Sequence, residues 1–208
     1  MGTSPKTRKR SETPRLSRDD WLDAAFHAVV EGGFDNVRVL VIADALGVTR
    51  GSFYWHFTDH ADLVNTLLMR WQSQEIATGQ SMQTPAIEDP QGDLELLLEA
   101  ALAHAQTDLE NMRFELAVRG LARRDAAVAK MLLEVDQMRL ALFETKFQRL
   151  TGDPRAAADL ASLFYLAIVG SNQALSRPDN PPQTKEYLKG IITRYLIRRE
   201  PPAKPKAP

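Results

Sequence analysis

The twelve prolines of this chain are crowded into a few places: Pro5, Pro14, Pro85, Pro90, Pro154, Pro178, Pro181, Pro182, Pro201, Pro202, Pro205 and Pro208. Residues 15–84, 91–153 and 155–177 contain none. Proline inside a helix removes a hydrogen bond and clashes with the preceding turn, so the gaps are where long helices can run. They are rich in Ala, Leu, Glu, Gln and Arg, which favour helix, and Gly120 is the only glycine between Gly92 and Gly152. The reading is an all-α protein of about nine helices.

Composition narrows the function classes. The chain has 208 residues, 44% hydrophobic and 25% charged, which is ordinary for a globular protein. It has no cysteine, so disulfides, thiolate zinc sites and a cysteine nucleophile are excluded. The start, Met1 to Arg10, is polar and basic with no apolar run behind it, unlike a secretory signal. No stretch approaches the roughly 18 consecutive apolar residues of a membrane span. The expectation is a soluble, cytoplasmic protein with no membrane partner.

The first helix opens at Ser17, where Ser17-Arg18-Asp19-Asp20 has the form of a capping box. Trp21, Leu22, Ala25, Phe26, Val29 and Val30 follow at helical spacing, and Gly32-Gly33 ends the run. The stretch Val37–Ile42 would pass for a strand, but its continuation Ala43-Asp44-Ala45-Leu46 favours a helix ending at Gly47. A short third helix is expected over Arg50–Phe57 with Thr49 as its cap, and a fourth, capped by Thr58, to about Gln80. Ser81–Pro90 reads as a linker. Further helices are expected near 92–108, 110–123, 125–151, 154–175 and 183–199.

The chemistry-bearing stretch is Ile42 to Phe57. Ala43 supplies a small residue where two helices touch, and Gly47 permits a sharp turn. Val48, Phe53 and Phe57 point to a core, so the layout is a helix-turn-helix. Counting about 100° per residue from Phe53, Gly51 and Trp55 face outward while Tyr54 and Ser52 lie on the flanks. Gly51 lets the backbone come close, and Tyr54 and His56 offer hydrogen bonds to phosphate. Trp55, a large aromatic aimed at solvent, makes sense only if something covers it. In a major groove it would meet a thymine methyl.

Gly33-Phe34, Ile42-Ala43, Gly47-Val48-Thr49 and Gly51-Ser52-Phe53-Tyr54-Trp55-His56-Phe57 resemble the N-terminal DNA-binding domain of TetR-family (tetracycline-repressor-like) transcriptional regulators, over about residues 17–65. The resemblance implies a homodimer that binds a palindromic, double-stranded operator and is released by a small-molecule effector, with no enzymatic activity and no cofactor. It implies an N-terminal three-helix helix-turn-helix domain over 17–58 and a larger helical ligand-binding and dimerisation domain over 59–200. Residues 1–16 and 201–208 would be a disordered basic arm and tail.

Carried over by position, DNA contacts would come from Arg38, Thr49, Arg50, Gly51, Ser52, Tyr54, Trp55, His56 and His60. Arg38 stands where the family usually has a capping Thr or Ser, and His60 where it commonly has Lys. Leu40 and Val41 are more apolar than the family's usual pair. For the effector, the bulky residues Trp71, Met112, Phe114, Phe143, Phe147 and Tyr165 and the polar Asn172 are candidates. For dimerisation, the candidates are Leu160, Phe164, Ile168 and Leu175 with Tyr187, Leu188, Ile191, Ile192 and Tyr195. The competing reading is a helical small-molecule-binding protein without operator-specific DNA binding.

His56 and His60, with Asp59 and Asp62 near, have a spacing that raises a metal site, but Thr58 breaks the helix between them and no metal is assigned. Asp93, Glu95 and Glu99 read as a solvated helix face rather than paired catalytic carboxylates. No Ser/His/Asp arrangement or phosphate-binding glycine loop is present.

The formal net charge of −1 argues at first against nucleic acid. Resolved along the chain, residues 1–18 hold six cations against Glu12 alone, and residues 19–100 hold three arginines against fourteen acids. The near-neutral total is a cancellation between a basic arm and an acidic body. An arm of that kind suits phosphates or a minor groove beside the first helix.

Overall fold

The computed structural model describes residues 16–107, 109–175, 181 and 183–200. Most of the predicted basic arm and the whole predicted tail lie outside these residues. Among the described residues every regular element is helical: α1 (Arg18–Gly32), a 3-10 turn (Phe34–Asn36), α2 (Val39–Ala45), α3 (Arg50–Phe53), α4 (His60–Ser81), α5 (Pro90–Thr107), α6 (Leu109–Ala122), α7 (Ala126–Thr151), α8 (Pro154–Leu175) and α9 (Thr184–Ile192), which runs on into a π-helical turn (Thr193–Ile197).

The predicted start of α1 is observed as a full capping box. The Asp20 amide donates to the Ser17 hydroxyl, and Asp20 Oδ2 accepts from the Ser17 amide at 2.6 Å. The link between α2 and α3 is set by Gly47, whose φ of +67° is the left-handed conformation that glycine adopts most easily. The Gly47 and Val48 amides donate back to Asp44 and Ala43, at 3.1 and 2.9 Å. These two bonds close the end of α2 and turn the chain into α3.

Three local expectations are corrected. The third helix is α-helical over Arg50–Phe53 alone, not to Phe57. Beyond Phe53 the amides of Trp55 and His56 reach back only three residues, to Ser52 and Phe53, so the chain tightens into a turn before α4. Thr49 precedes α3 with extended backbone but makes no side-chain capping bond. The cap of α4 is Asp59, not Thr58: Asp59 Oδ1 accepts from the Asp62 amide at 2.8 Å, while the Thr58 amide donates to Asp62 Oδ2. At α2, Arg38 makes no side-chain cap bond, as expected where a guanidinium replaces a hydroxyl.

Two apolar cores form. The first joins α1–α4 to α6 and the N-terminal half of α7, with Trp21, Phe53, Leu63 and Leu67 essentially inaccessible beside Phe114, Val118 and Val128. Phe114 on α6 stacks on Phe26 of α1 at 5.0 Å and meets Phe34 edge-on at 5.8 Å. The second joins α5, the C-terminal half of α7, α8 and α9 around Leu98, Phe143, Phe147 and Phe164. Gly152, left-handed at φ +69°, folds α8 back so that it packs along α7.

Asp93 is not on a solvated face. It is 2% exposed and accepts from Lys146 Nζ at 3.0 Å, Arg149 Nη1 at 2.9 Å and the Ala86 amide at 2.8 Å, which pins the α4–α5 link to α5 and α7. Glu95 and Glu99 are likewise paired, with Arg198 and with Lys185 and Lys189. Among the described residues no helix is long and apolar enough to cross a membrane.

Candidate nucleic-acid interface and cavity

The α2–α3 unit puts alternate residues on opposite sides. Phe53 is fully buried, edge-on to Trp21 with ring centroids 5.4 Å apart, and it stacks on Phe57 at 5.5 Å. Two residues on from Phe53, Trp55 is 82% exposed, and Tyr54 is also exposed. Arg50 Nη2 donates to the Tyr54 hydroxyl at 3.2 Å, which places a guanidinium and a phenol side by side on the exposed face. Gly51, Thr49 and Arg38 are exposed as well, and His56 is half-buried. Leu40 and Val41 add two exposed apolar side chains at the start of α2. The result is a cationic and aromatic surface with no partner within the described residues, suited to a groove edge and its phosphates.

Two of the predicted contact residues are oriented otherwise than expected. The Ser52 hydroxyl is buried and makes no hydrogen bond among the described residues, so in this rotamer it does not face outward. His60 Nε2 is 2.6 Å from the Val37 carbonyl, a bond that ties the start of α4 to the turn before α2 and turns this ring nitrogen inward. Arg18, counted from sequence with the basic arm, is tied to the domain itself. It lies 4.8 Å over the Phe57 ring and donates to the Thr66 hydroxyl at 3.0 Å.

The body holds a cavity of about 420 Å³ between α4, α5, α6, α7 and α8. Of the effector candidates, Trp71, Met112, Phe143, Tyr165 and Asn172 are on its wall. Phe114 and Phe147 are not. Phe114 is consumed by the first core against Phe26 and Phe34, and Phe147 by the second core against Phe164 at 5.5 Å.

Sequence reading missed the charged part of this wall. Glu75 of α4, Glu115 of α6 and Arg139 of α7 all line the cavity. Arg139 grips Glu115 with both Nη1 and Nη2, at 2.9 and 2.8 Å, and Nη2 also donates to Glu75 Oε2 at 2.7 Å. Behind them Arg119 donates to Glu115 at 2.8 Å, to Asp136 at 2.9 Å and to the Tyr165 hydroxyl at 3.2 Å. Burial alone would push the Glu115 carboxyl up, but the hydrogen bonds and charges of Arg139 and Arg119 outweigh it and hold it at about 2. Burial, with the Asp136 carboxylate beside it, pushes the Tyr165 phenol up to about 12. A signal was available: Glu115 and Arg119 stand at i, i+4 on an otherwise apolar helix face.

The dimerisation candidates also divide. Phe164, Ile168, Leu175 and Ile192 are buried within the chain's own second core, and Leu160 and Leu188 pack against it. The first four therefore do not present a free face, and the last two are only partly covered. Tyr187, Ile191 and Tyr195 are exposed, and so are Leu163 and Leu166, which were not singled out. Helical phase separates the two sets: at about 100° per residue, Leu163 and Leu166 lie off the side of α8 that carries Phe164. Because α8 is apolar nearly all round, both of its sides need covering.

A short helix-turn-helix with an exposed aromatic face is thus set on a helical body that holds a cavity. Residues 22–67 match the family of bacterial regulatory proteins described as the tetR family. The chain is similar to the HTH-type transcriptional regulator AcrR of Shigella flexneri, 34% identical over 73 residues, which is 35% of this chain and 33% of AcrR. It is similar to the HTH-type transcriptional regulator TtgR of Pseudomonas putida, 31% identical over 91 residues, 44% of this chain and 43% of TtgR. These matches span about a third to two fifths of the curated relatives' length. In fold it is similar to SmeT, the repressor of the Stenotrophomonas maltophilia multidrug efflux pump SmeDEF, with a TM-score of 0.65 at 17% identity over 93% of this chain and 98% of that one. The family match thus lies on the helix-turn-helix and the start of α4, residues 22–67, and the solved structures extend the likeness of fold over the rest of the chain.

Proposed function

We propose that this regulator is a repressor that binds a palindromic operator as a homodimer and is released when a small molecule enters the cavity. Residues 17–58 form the reading head and residues 59–200 the effector and dimer body. The observation that carries the DNA reading is the contrast between Phe53, fully buried, and Trp55, 82% exposed on the same short turn. An exposed tryptophan of that size is costly in water and useful only when covered. Arg50, Gly51, Tyr54 and Trp55 face the bases and phosphates, with Arg38, Thr49 and His56 at the margin. The exposed apolar side chains of α8 and α9, Leu163, Leu166, Tyr187, Ile191 and Tyr195, form the dimer seam. Release follows if the effector favours a spacing of the two heads that no longer fits successive major grooves. The repressor reading is supported by SmeT, a repressor of the same fold.

Selection of bound genomic fragments, followed by sequencing, tests this directly. The expected result is one recurrent palindromic site, bound by the wild type and lost in Trp55→Ala while the fold is kept. Recovery of unrelated fragments, with a flat response to salt, would favour the helical binding protein without operator specificity.

A further inference from the structure

The wall of the cavity carries a chemical preference. Its greater part is apolar, with Trp71, Met82, Leu97, Met138, Phe143 and Ile168 around about 420 Å³, a volume in the range of drug-sized ligands. The ionised groups on that wall are two carboxylates, Glu75 and Glu115, against one guanidinium, Arg139. The neighbouring Arg119 and Asp136 form a pair behind the wall and leave this balance unchanged.

Hydrogen bonding decides which of these groups can meet a ligand. Both terminal nitrogens of Arg139 are committed to carboxylates, so no spare cation awaits an acid. Both oxygens of Glu115 are held, Oε1 by Arg119 and Arg139 and Oε2 by Arg139. Glu75 is different. Its Oε2 accepts from Arg139, while among the described residues its Oε1 accepts nothing. Asn172 adds a second vacant acceptor, since its Oδ1 is buried and has no partner among the described residues. The cavity thus offers one surplus negative charge and two oxygens that lack donors.

Resting on the effector reading, we infer that the cavity's effector is an amphipathic organic cation, an apolar body carrying one protonated amine, whose N–H groups bind Glu75 in competition with Arg139. Glu75 is on α4, the helix that begins three residues after Phe57 of the reading head, and Arg139 is on α7. A cation that takes Glu75 from Arg139 loosens a tie between α4 and α7, and Arg139 keeps Glu115 as its partner. Ligand charge and the position of the reading head are thereby linked through one carboxylate. An acid of the same shape would lack a cationic partner and would face the surplus negative charge.

The test uses the full-length protein and two matched probes, 6-phenylhexylamine and 6-phenylhexanoate, titrated calorimetrically at neutral pH. The amine is expected to bind at least tenfold more tightly than the carboxylate, and Glu75→Gln to reduce amine affinity about tenfold. The comparison on unmodified protein stands even if the variant folds poorly. Equal or tighter binding of the carboxylate would overturn the charge assignment and leave the cavity's effector role standing. Binding of neither probe would overturn the assignment together with that role. Loss of amine binding in Glu75→Gln, with carboxylate binding unchanged, would support both.

Discussion

The ring of Phe53 stands edge-on to that of Trp21, 5.4 Å between centroids, and both side chains are fully buried. This contact locks α3 against α1 and so fixes the direction in which Trp55 points. Phe53→Ala opens a cavity in that core and is expected to lower stability by about 3–5 kcal/mol. Trp55→Ala removes an exposed side chain and should change stability by no more than about 0.5 kcal/mol. Thermal or urea unfolding followed by circular dichroism separates the two. The same Trp55→Ala protein should lose at least tenfold in operator affinity by fluorescence anisotropy, and full affinity would sink the assignment of the reading face.

The contact surface is cationic at Arg38 and Arg50, in a chain whose body is acidic. Operator affinity should therefore fall steeply with salt, by roughly 0.9 in log K per log unit for each phosphate neutralised. Titration between about 50 and 200 mM salt measures the slope. Arg50→Ala should reduce it by about one such increment.

Leu163 and Leu166 are each more than half exposed on α8, with Tyr187 and Tyr195 exposed on α9 and beyond it. Placing a carboxylate in an apolar seam requires burying an unpaired charge. Leu166→Glu should yield a monomer in sedimentation velocity at concentrations where the wild type is a dimer, with helix content unchanged. A dimer that persists would place the seam elsewhere.

Asp93 is the common acceptor for Lys146 and Arg149, and Lys146 is only 3% exposed. Asp93→Asn leaves Lys146 buried without an opposite charge and should cost about 3 kcal/mol in urea unfolding. Lys146→Met, which removes the buried ammonium and keeps its length, should cost less. The reverse order would show that Asp93 acts through its bond to the Ala86 amide instead.

Glu115 sets a pH dependence. Its carboxyl sits at about 2 in the folded protein against an ordinary 4.5. A depressed folded value means stabilisation that is complete above the unfolded value and lost as pH falls from about 4.5 towards 2. The loss is roughly 3 kcal/mol. Glu95, held down chiefly by Arg198, and Glu99, held down chiefly by Lys189, act in the same direction. Glu115→Gln should be less stable than wild type at neutral pH and show a shallower decline between about pH 5 and pH 2.

Local patterns in the chain carried most of the helical architecture and the layout of the helix-turn-helix, but not where its second helix ends or how Ser52 is turned. A capping box at Ser17, a glycine at the turn and a proline-free run each act over a few residues, so each is readable in order. Side-chain partners that depend on helices far apart in the chain were not readable. Asp93 looked like one more acid on an exposed face because Lys146 and Arg149 arrive from α7. Phe114 and Phe147 looked like wall residues, since nothing in the order of residues reveals that α1 and α8 cover them. On α8 apolar residues occur on every side, so the side facing α7 could not be told from the side left open.

Phe114 has a consequence for how this protein can be divided. The ring belongs to the body by position in the chain, yet it stacks on Phe26 and touches Phe34, both in the reading head. The head therefore borrows part of its interior from α6. A chimaera spliced within α4 would keep the reading face and strand two phenylalanines against a foreign surface. A successful transplant of this head has to carry the Phe114 contact with it, so the working joint follows packing and not the order of the chain.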